Sequence, residues 1–272
     1  MIQQKLNAVV IEKIHLTPEL IILRVAPNGW KIPDFLAGQY CAMGLPGSAS
    51  RYSLSKPEKK KPDLDKLIAR AYSLASPPED KECLEIFVTL VPEGGLTPRL
   101  FNLTLGDRLW VSPKITGNFT FDNIEPTANV VLVSTGTGLA PYMSFLRSDS
   151  CAKVKGRVAV LHGVRFSYDL GYRSELEMLQ KMNPKFTYFP TVSRSKTESA
   201  KWKGHKGYVQ DIWTKGILDH AWGFHPQPED THFFLCGNPS MIDSISALLQ
   251  KEGFVEHTSR NPGNLHIERY WT

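Results

Sequence analysis

The chain has 272 residues and a mass of 30.6 kDa, with 42% hydrophobic, 22% charged and 10% aromatic residues. This length predicts about two domains, since a typical domain has ~150 residues, and the composition excludes a disordered or fibrous protein. The net charge of +5 argues against nucleic acid and suits an anionic small molecule or an acidic protein partner. Neither an apolar run of 18 residues nor a signal-peptide pattern occurs, so we expect a cytoplasmic protein without a membrane span.

The first half of the chain has the pattern of an antiparallel β-barrel, in which short β-rich runs alternate with turn signals. A short helix is predicted over residues 97–103, with Thr97 as N-cap and Pro98 at the first helical position. The lysine-rich segment 56–66 is predicted to be a solvated loop inserted between two strands. The predicted strands are 6–14, 20–27, 38–45, 68–75, 83–91 and 107–111.

The second half alternates apolar strands with helices, which is typical of a doubly wound α/β parallel sheet covered on both faces. We place the domain boundary at residue 125, giving domains 1–125 and 126–272. The predicted strands are 129–134, 157–164, 186–193 and 232–237, and the predicted helices are 141–147, 172–182, 208–218 and 239–252.

Two segments of the second half have the features of anion sites. GTGLAP (136–141) follows an apolar strand and begins a helix, an arrangement suited to a diphosphate, although such a turn is often only a tight connection. Ser193 and Arg194 end a predicted parallel strand and are followed by Lys203, Lys206 and Tyr208. These groups suit a phosphate dianion beside a flat ring. No acid stands at the strand end to bind ribose hydroxyls, which disfavours NAD. The alternative interpretation of this segment is a polar surface loop.

Two segments of the first half suit a flavin dinucleotide. In RAYS (70–73), Arg70 and Tyr72 project to one face of a strand, so a guanidinium and an aromatic plane lie side by side. GGLTPRL (94–100) adds a glycine turn before a helix N-terminus. The four cysteines show none of the close spacing of zinc or iron–sulfur ligands, so we predict reduced thiols and no metal site.

Six segments in order resemble the ferredoxin–NADP reductase family, and the resemblance covers about residue 38 to the end of the chain. The tail and GGLTPRL look most like the bacterial ferredoxin/flavodoxin–NADP reductases, whereas KGHKGYVQ is closer to the plastid-type enzymes. The segments are RAYS, GGLTPRL, GTGLAP, SR with KGHKGYVQ (203–210), CGNPSM (236–241) and IERYW (267–271).

The resemblance implies an FAD site in the first domain. Arg70 would hold the FAD diphosphate, Tyr72 would pack on the isoalloxazine and Ser73 would lie near flavin N5. Of the tail aromatics, Tyr270 would stack on the flavin, and Trp271 is the alternative cover for FAD. The remaining FAD contacts implied are Ala71, Phe87, Val88, Thr89, Gly95, Leu96, Thr97 and Thr137.

The resemblance also implies an NADP site in the second domain. Gly136, Thr137 and Gly138 would meet the diphosphate and the nicotinamide side. Cys236 and Glu268 would lie near the reacting rings and, with Ser73 and Tyr270, form the catalytic set. The 2′-phosphate and adenine contacts implied are Arg165, Ser193, Arg194, Lys206, Tyr208 and Gln210.

The resemblance implies an enzyme that transfers hydride between NADPH and FAD and single electrons between flavin and ferredoxin or flavodoxin. A monomer is expected. Two alternatives remain open at this point: an NAD(P)H-dependent flavin or quinone reductase on the same scaffold, and an electron-relay subunit of a larger oxidase.

Overall fold

A computed structural model describes residues 6–121 and 124–269. This part of the chain divides into two compact units. The first holds the residues up to Thr120 together with Ala140–Ser148, and the second holds Phe121–Leu139 and the residues from Asp149 onward. No helix within the described ranges is both long and apolar enough to cross a membrane.

The first unit is a six-stranded antiparallel sheet with the order β4-β3-β6-β1-β2-β5. An antiparallel bridge between Leu74, just after edge strand β4, and Ile86 of edge strand β5 closes the sheet into the predicted barrel. The strands are β1 (Ala8–Thr17), β2 (Leu20–Pro27), β3 (Tyr40–Pro46), β4 (Leu67–Ser73), β5 (Leu84–Thr89) and β6 (Arg108–Thr116).

Helix α1 (Thr97–Asn102) contributes to the barrel core, where Leu100 and Phe101 are fully buried. The prediction that Thr97 is the N-cap is wrong, because Leu96 occupies that position. The Thr97 hydroxyl instead accepts a hydrogen bond from the backbone N–H of Val91 at 2.9 Å. The threonine therefore closes the loop that precedes the helix rather than capping the helix itself.

The second unit is built on a parallel sheet with the order β10-β9-β8-β7-β11-β12, which confirms the doubly wound prediction. Its central strands are buried and rich in valine, leucine and phenylalanine, as expected for strands covered on both faces. The strands are β7 (Asn129–Thr135), β8 (Val158–Val164), β9 (Phe186–Val192), β10 (His205–Lys206), β11 (Thr231–Cys236) and β12 (Leu265–Glu268).

The helices match three of the four sequence predictions for this half. Helix α2 (Ala140–Arg147) groups with the first unit, although β7, the strand before it, belongs to the second. The predicted helix 208–218 is instead two short helices, separated at Gly216, which takes a left-handed conformation with φ of 61°. The helices after α2 are α3 (Asp149–Ala152), α4 (Arg173–Met182), α5 (Asp211–Thr214), α6 (Ile217–Trp222) and α7 (Pro239–Lys251).

Candidate functional site

The RAYS segment forms the end of edge strand β4. Arg70 is exposed, and its guanidinium donates to the Ala69 carbonyl at 2.7 Å. Tyr72 is half-buried against the barrel core, and burial raises the pKa of its hydroxyl. That hydroxyl is buried and has no hydrogen-bond partner among the described residues. Since buried polar atoms normally have partners, a bound ligand such as FAD fits here, because it could supply one.

The other FAD positions on the barrel differ in what they can offer a ligand. The side chains of Phe87 and Val88 are buried, so in β5 only their backbone could face a cofactor. Thr89 is half-buried at the strand end, Ser73 is buried, and Ala71 is exposed.

The Gly94–Gly95 turn before helix α1 is held by two arginines. Arg51 donates to the Gly94 carbonyl at 2.8 Å, and the buried Arg99 donates to the Gly95 carbonyl. Arg99 also makes two hydrogen bonds to Glu58, at 2.8 and 3.2 Å. The prediction that segment 56–66 is solvated is therefore wrong at Glu58, whose side chain is only 13% exposed.

The GTGLAP turn contains two glycines whose missing side chains matter for different reasons. Gly136 has a φ of +53°, and apart from its own neighbours in the chain nothing lies within 4 Å of where its Cβ would be. A Cβ on Gly138 would lie 2.3 Å from the carbonyl oxygen of Cys236. Gly136 therefore leaves open space that a diphosphate can fit, whereas Gly138 is needed for packing against the end of β11. Thr137, between them, is half-buried.

His162 lies beneath this turn, fully buried in the centre of β8. Its Nε2 is 3.2 Å from the Gly136 carbonyl oxygen and its Nδ1 is 3.3 Å from the Tyr188 hydroxyl. Burial lowers the pKa of His162 to about 4, so the ring is neutral near pH 7. A neutral ring with the proton on Nε2 donates to Gly136 and accepts from Tyr188, which supports the turn from below.

The carboxyl ends of β8, β9 and β10 bring the predicted phosphate ligands together. Arg194 donates its backbone N–H to the Arg165 carbonyl at 2.9 Å, and Ser193 donates its hydroxyl to the Val164 carbonyl at 3.2 Å. Lys206 pairs in register with Val192, the residue before Ser193. Among the described residues neither Arg194 nor Lys206 has an ion-pair partner. Arg165, Arg194 and Lys206 thus lie at neighbouring strand ends, with the Arg165 guanidinium 4.0 Å from the Asp169 carboxylate. A dianion would be bound favourably at this end of the sheet.

Tyr208 and Gln210 follow directly on the β10 side of this edge. Tyr208 is 67% exposed, so its ring is available for stacking. Gln210 is half-buried and precedes α5, and its backbone carbonyl accepts from the N–H groups of Trp213 and Thr214 in that helix.

Strands β11 and β12 bring two predicted catalytic residues together. Cys236 and Glu268 are paired in register at the carboxyl ends of these strands, with the sulfur 3.9 Å from a carboxylate oxygen. Cys236 is fully buried and Glu268 half-buried. Tyr270 and Trp271 lie outside the described residues.

Sequence reasoning missed His162, Glu58 and strand β12. His162 lies outside the motifs that predict the site, although a single polar residue within the apolar run VAVLHGV is a usable signal. Glu58 gave no signal, since one glutamate among lysines looks like any solvated charge. Strand β12 has only four residues, and its parallel partner β11 lies about thirty positions earlier.

Known proteins are similar to this chain in both sequence and fold. Residues 132–247 match the family described as "Oxidoreductase NAD-binding domain". The chain is 31% identical to ferredoxin–NADP reductase A of Sorangium cellulosum, covering 96% of this chain and 88% of the relative. It is 34% identical to the ferredoxin–NADP reductase of Pseudomonas aeruginosa, over 74% of this chain and 80% of that protein. A ferredoxin NADP+ reductase from Neisseria gonorrhoeae, solved with FAD and NADP bound, aligns with a TM-score of 0.80 and 25% identity, covering 98% and 99% of the two chains.

Proposed function

The chain belongs to the ferredoxin–NADP reductase family, and from that premise we propose that it oxidises NADPH through FAD and passes the electrons to ferredoxin or flavodoxin. Residues 1–125 would bind FAD and residues 126–272 would bind NADPH. FAD, when bound, supplies the step between two-electron hydride chemistry and one-electron transfer. The protein's own residues bind and orient the two dinucleotides.

The observation that carries this proposal is the cationic edge formed by Arg165, Arg194 and Lys206 at the carboxyl ends of β8–β10. The 2′-phosphate is the group that distinguishes NADPH from NADH, and charged hydrogen bonds to a phosphate are the strong kind. Ser193 would add a hydroxyl, and Tyr208 would stack on the adenine. Gln210 would assist as a neutral side chain beside the ring.

The FAD residues act by shape and charge. Arg70 would bind the diphosphate, and Tyr72 would supply the flat surface for the ring and a hydroxyl that lacks a protein partner. Backbone groups of Phe87–Thr89 and of Gly95–Thr97 would complete the cradle, with Ser73 near the flavin. Thr137 would contact FAD from the glycine turn.

Cys236 and Glu268 would act next to the reacting nicotinamide. A buried thiol beside a carboxylate gives a small polarisable surface together with a proton acceptor. In this proposal the Glu268 carboxylate is the proton acceptor beside the nicotinamide. The Cys236 side chain limits the space that the nicotinamide ring can occupy. Tyr270 would stack on the flavin, and Trp271 is the alternative cover for FAD.

The test is a steady-state assay on the purified protein. We expect FAD to co-purify, and NADPH-driven reduction of cytochrome c to increase strongly when ferredoxin or flavodoxin is added. Equal rates with and without either carrier, together with fast reduction of free flavin or quinone, would replace this proposal with that of a flavin or quinone reductase.

A cytoplasmic monomer completes the proposal. All four cysteines are free thiols, which fits a reducing compartment. Light scattering coupled to gel filtration tests the monomer, since a dimer would double the mass of 30.6 kDa.

A further inference from the structure

Glu58 lies within the lysine-rich segment 56–66 but turns away from solvent. Its carboxylate receives two hydrogen bonds from Arg99, at 2.8 and 3.2 Å, and lies 3.3 Å from a guanidinium nitrogen of Arg51. The Arg99 side chain is 2% exposed and that of Glu58 is 13% exposed, so this is a largely buried charge cluster. We name Arg51, Glu58 and Arg99 the Glu58 clamp.

The Glu58 clamp is attached to the turn before helix α1 at two consecutive carbonyls. Arg51 donates to Gly94, and Arg99 donates to Gly95. Arg51 also donates to the Lys56 and Pro92 carbonyls, at 2.5 and 3.0 Å. The same few side chains therefore fix both the base of segment 56–66 and the orientation of the glycine turn.

The charges within the clamp make Glu58 its centre. Two guanidinium groups share this one carboxylate, and the hydrogen bonds from Arg99 lower the pKa of Glu58, so it stays ionised. Without that negative charge the buried Arg99 would lose its counter-ion, which is costly in a buried position. The carbonyls of Gly94 and Gly95 would then lose their fixed donors.

We infer that Glu58 is a positioning residue for FAD: through Arg51 and Arg99 it holds the Gly94–Thr97 turn in the conformation that receives the cofactor's diphosphate. This inference rests on the proposed function. Segment 56–66 thereby has a role in the FAD site. Its lysines are exposed, whereas the Glu58 carboxylate is largely buried and anchors the segment. Because coupling between two sites acts in both directions, FAD binding also holds segment 56–66 in place.

The test compares flavin affinities of the apo-protein in wild type, Glu58→Gln and Glu93→Gln, using quenching of flavin fluorescence. Glu93 is a matched control, since it lies beside the same turn and pairs with Lys59 at 3.6 Å across the surface. We expect Glu58→Gln to weaken FAD binding about tenfold, the scale of one charged hydrogen bond. Riboflavin, which has no phosphate, should bind both variants and wild type equally.

A second measurement follows the segment itself. Trypsin should cleave after Lys59 or Lys60 about tenfold faster in Glu58→Gln than in wild type, and FAD should slow this cleavage in wild type. Glu58→Asp, which keeps the charge, should restore most of the FAD affinity and the resistance to trypsin.

Three outcomes overturn the inference: unchanged FAD affinity in Glu58→Gln, an equal loss of FAD and riboflavin affinity, or no protection by FAD. An equal loss would make Glu58 a general stability residue. If wild type itself binds no FAD, the proposed function fails, which is a distinguishable result.

Discussion

Replacing Arg194 with alanine tests the phosphate edge most directly. The backbone N–H of Arg194 donates a hydrogen bond to the Arg165 carbonyl, and the Arg194 guanidinium lies 5.8 Å from the centre of the Phe166 ring. The side chain is exposed and has no ion-pair partner among the described residues, so its removal leaves no buried charge behind. The fold should therefore be unaffected and the loss confined to ligand binding.

The expected magnitude follows from the strength of a charged hydrogen bond. A guanidinium on a phosphate contributes about 1.5–3 kcal/mol, and a tenfold change in affinity corresponds to about 1.4 kcal/mol. Arg194→Ala should weaken NADPH binding by about 10- to 100-fold, nearer the lower figure because the edge is open to solvent. NADH, without the phosphate, should lose at most about twofold.

The assay is a measurement of KM and kcat for both coenzymes, with dissociation constants from titration of the oxidised protein with NADP+. Arg260→Ala is a control, since Arg260 is another exposed arginine of the same unit. Arg260→Ala should leave the kinetic and dissociation constants for both coenzymes unchanged. Equal losses for NADPH and NADH in Arg194→Ala would refute the assignment of this edge to the 2′-phosphate.

Three further substitutions test the site in other ways. Tyr72→Phe should weaken FAD binding by about fivefold, the scale of one hydrogen bond, while the melting temperature of the apo-protein stays equal or rises because an unpartnered hydroxyl is removed; a fall in apo stability with unchanged FAD affinity would contradict this. Gly138→Ala should cost about 1–3 kcal/mol, since the added Cβ would lie 2.3 Å from the Cys236 carbonyl oxygen; an unchanged melting temperature would show that the turn is free to move. Because the pKa of His162 is lowered to about 4 in the folded chain, the unfolded chain binds the extra proton first as the pH falls. This histidine should therefore reduce stability by up to about 1.4 kcal/mol per pH unit between roughly 6.5 and 4, and His162→Gln should flatten the measured slope in urea unfolding; an unchanged slope would contradict the assignment.

Fold class could be predicted because periodicity and burial agree along most of the chain. Runs such as VAVLHGV are long, apolar and rich in valine, so their place in a parallel sheet follows from the sequence. In the first half of the chain, short β-rich runs that alternate with turn residues predicted the barrel in the same way.

The elements that were missed are short or depend on distant partners. Strand β12 gains its hydrogen bonds from β11, far away in the chain, and has no periodicity of its own. The predicted helix 208–218 breaks because Gly216 adopts a left-handed conformation, and the local pattern shows only that a helix is favoured on either side.

For the site, motifs predicted which residues belong together but not what supports them. Ser193, Arg194 and Lys206 could be proposed together because they follow one another at and after the end of a predicted parallel strand, where such sheets bind ligands. The support of Gly136 by His162 could not be predicted, since it is a tertiary contact between residues 26 positions apart. The support of the Gly95 turn by Arg99 could not be predicted either, since it depends on the pairing of Arg99 with Glu58, which lies 41 positions away in the chain.

The decisive measurement for electron transfer from NADPH to FAD is anaerobic reduction of the flavin by coenzyme, followed by the absorbance of oxidised FAD in a stopped-flow instrument. We expect a yellow protein whose absorbance is bleached in one turnover by NADPH, and at least tenfold more slowly by the same concentration of NADH. A colourless protein that takes up no FAD, or bleaching at the same rate by both coenzymes, would contradict it.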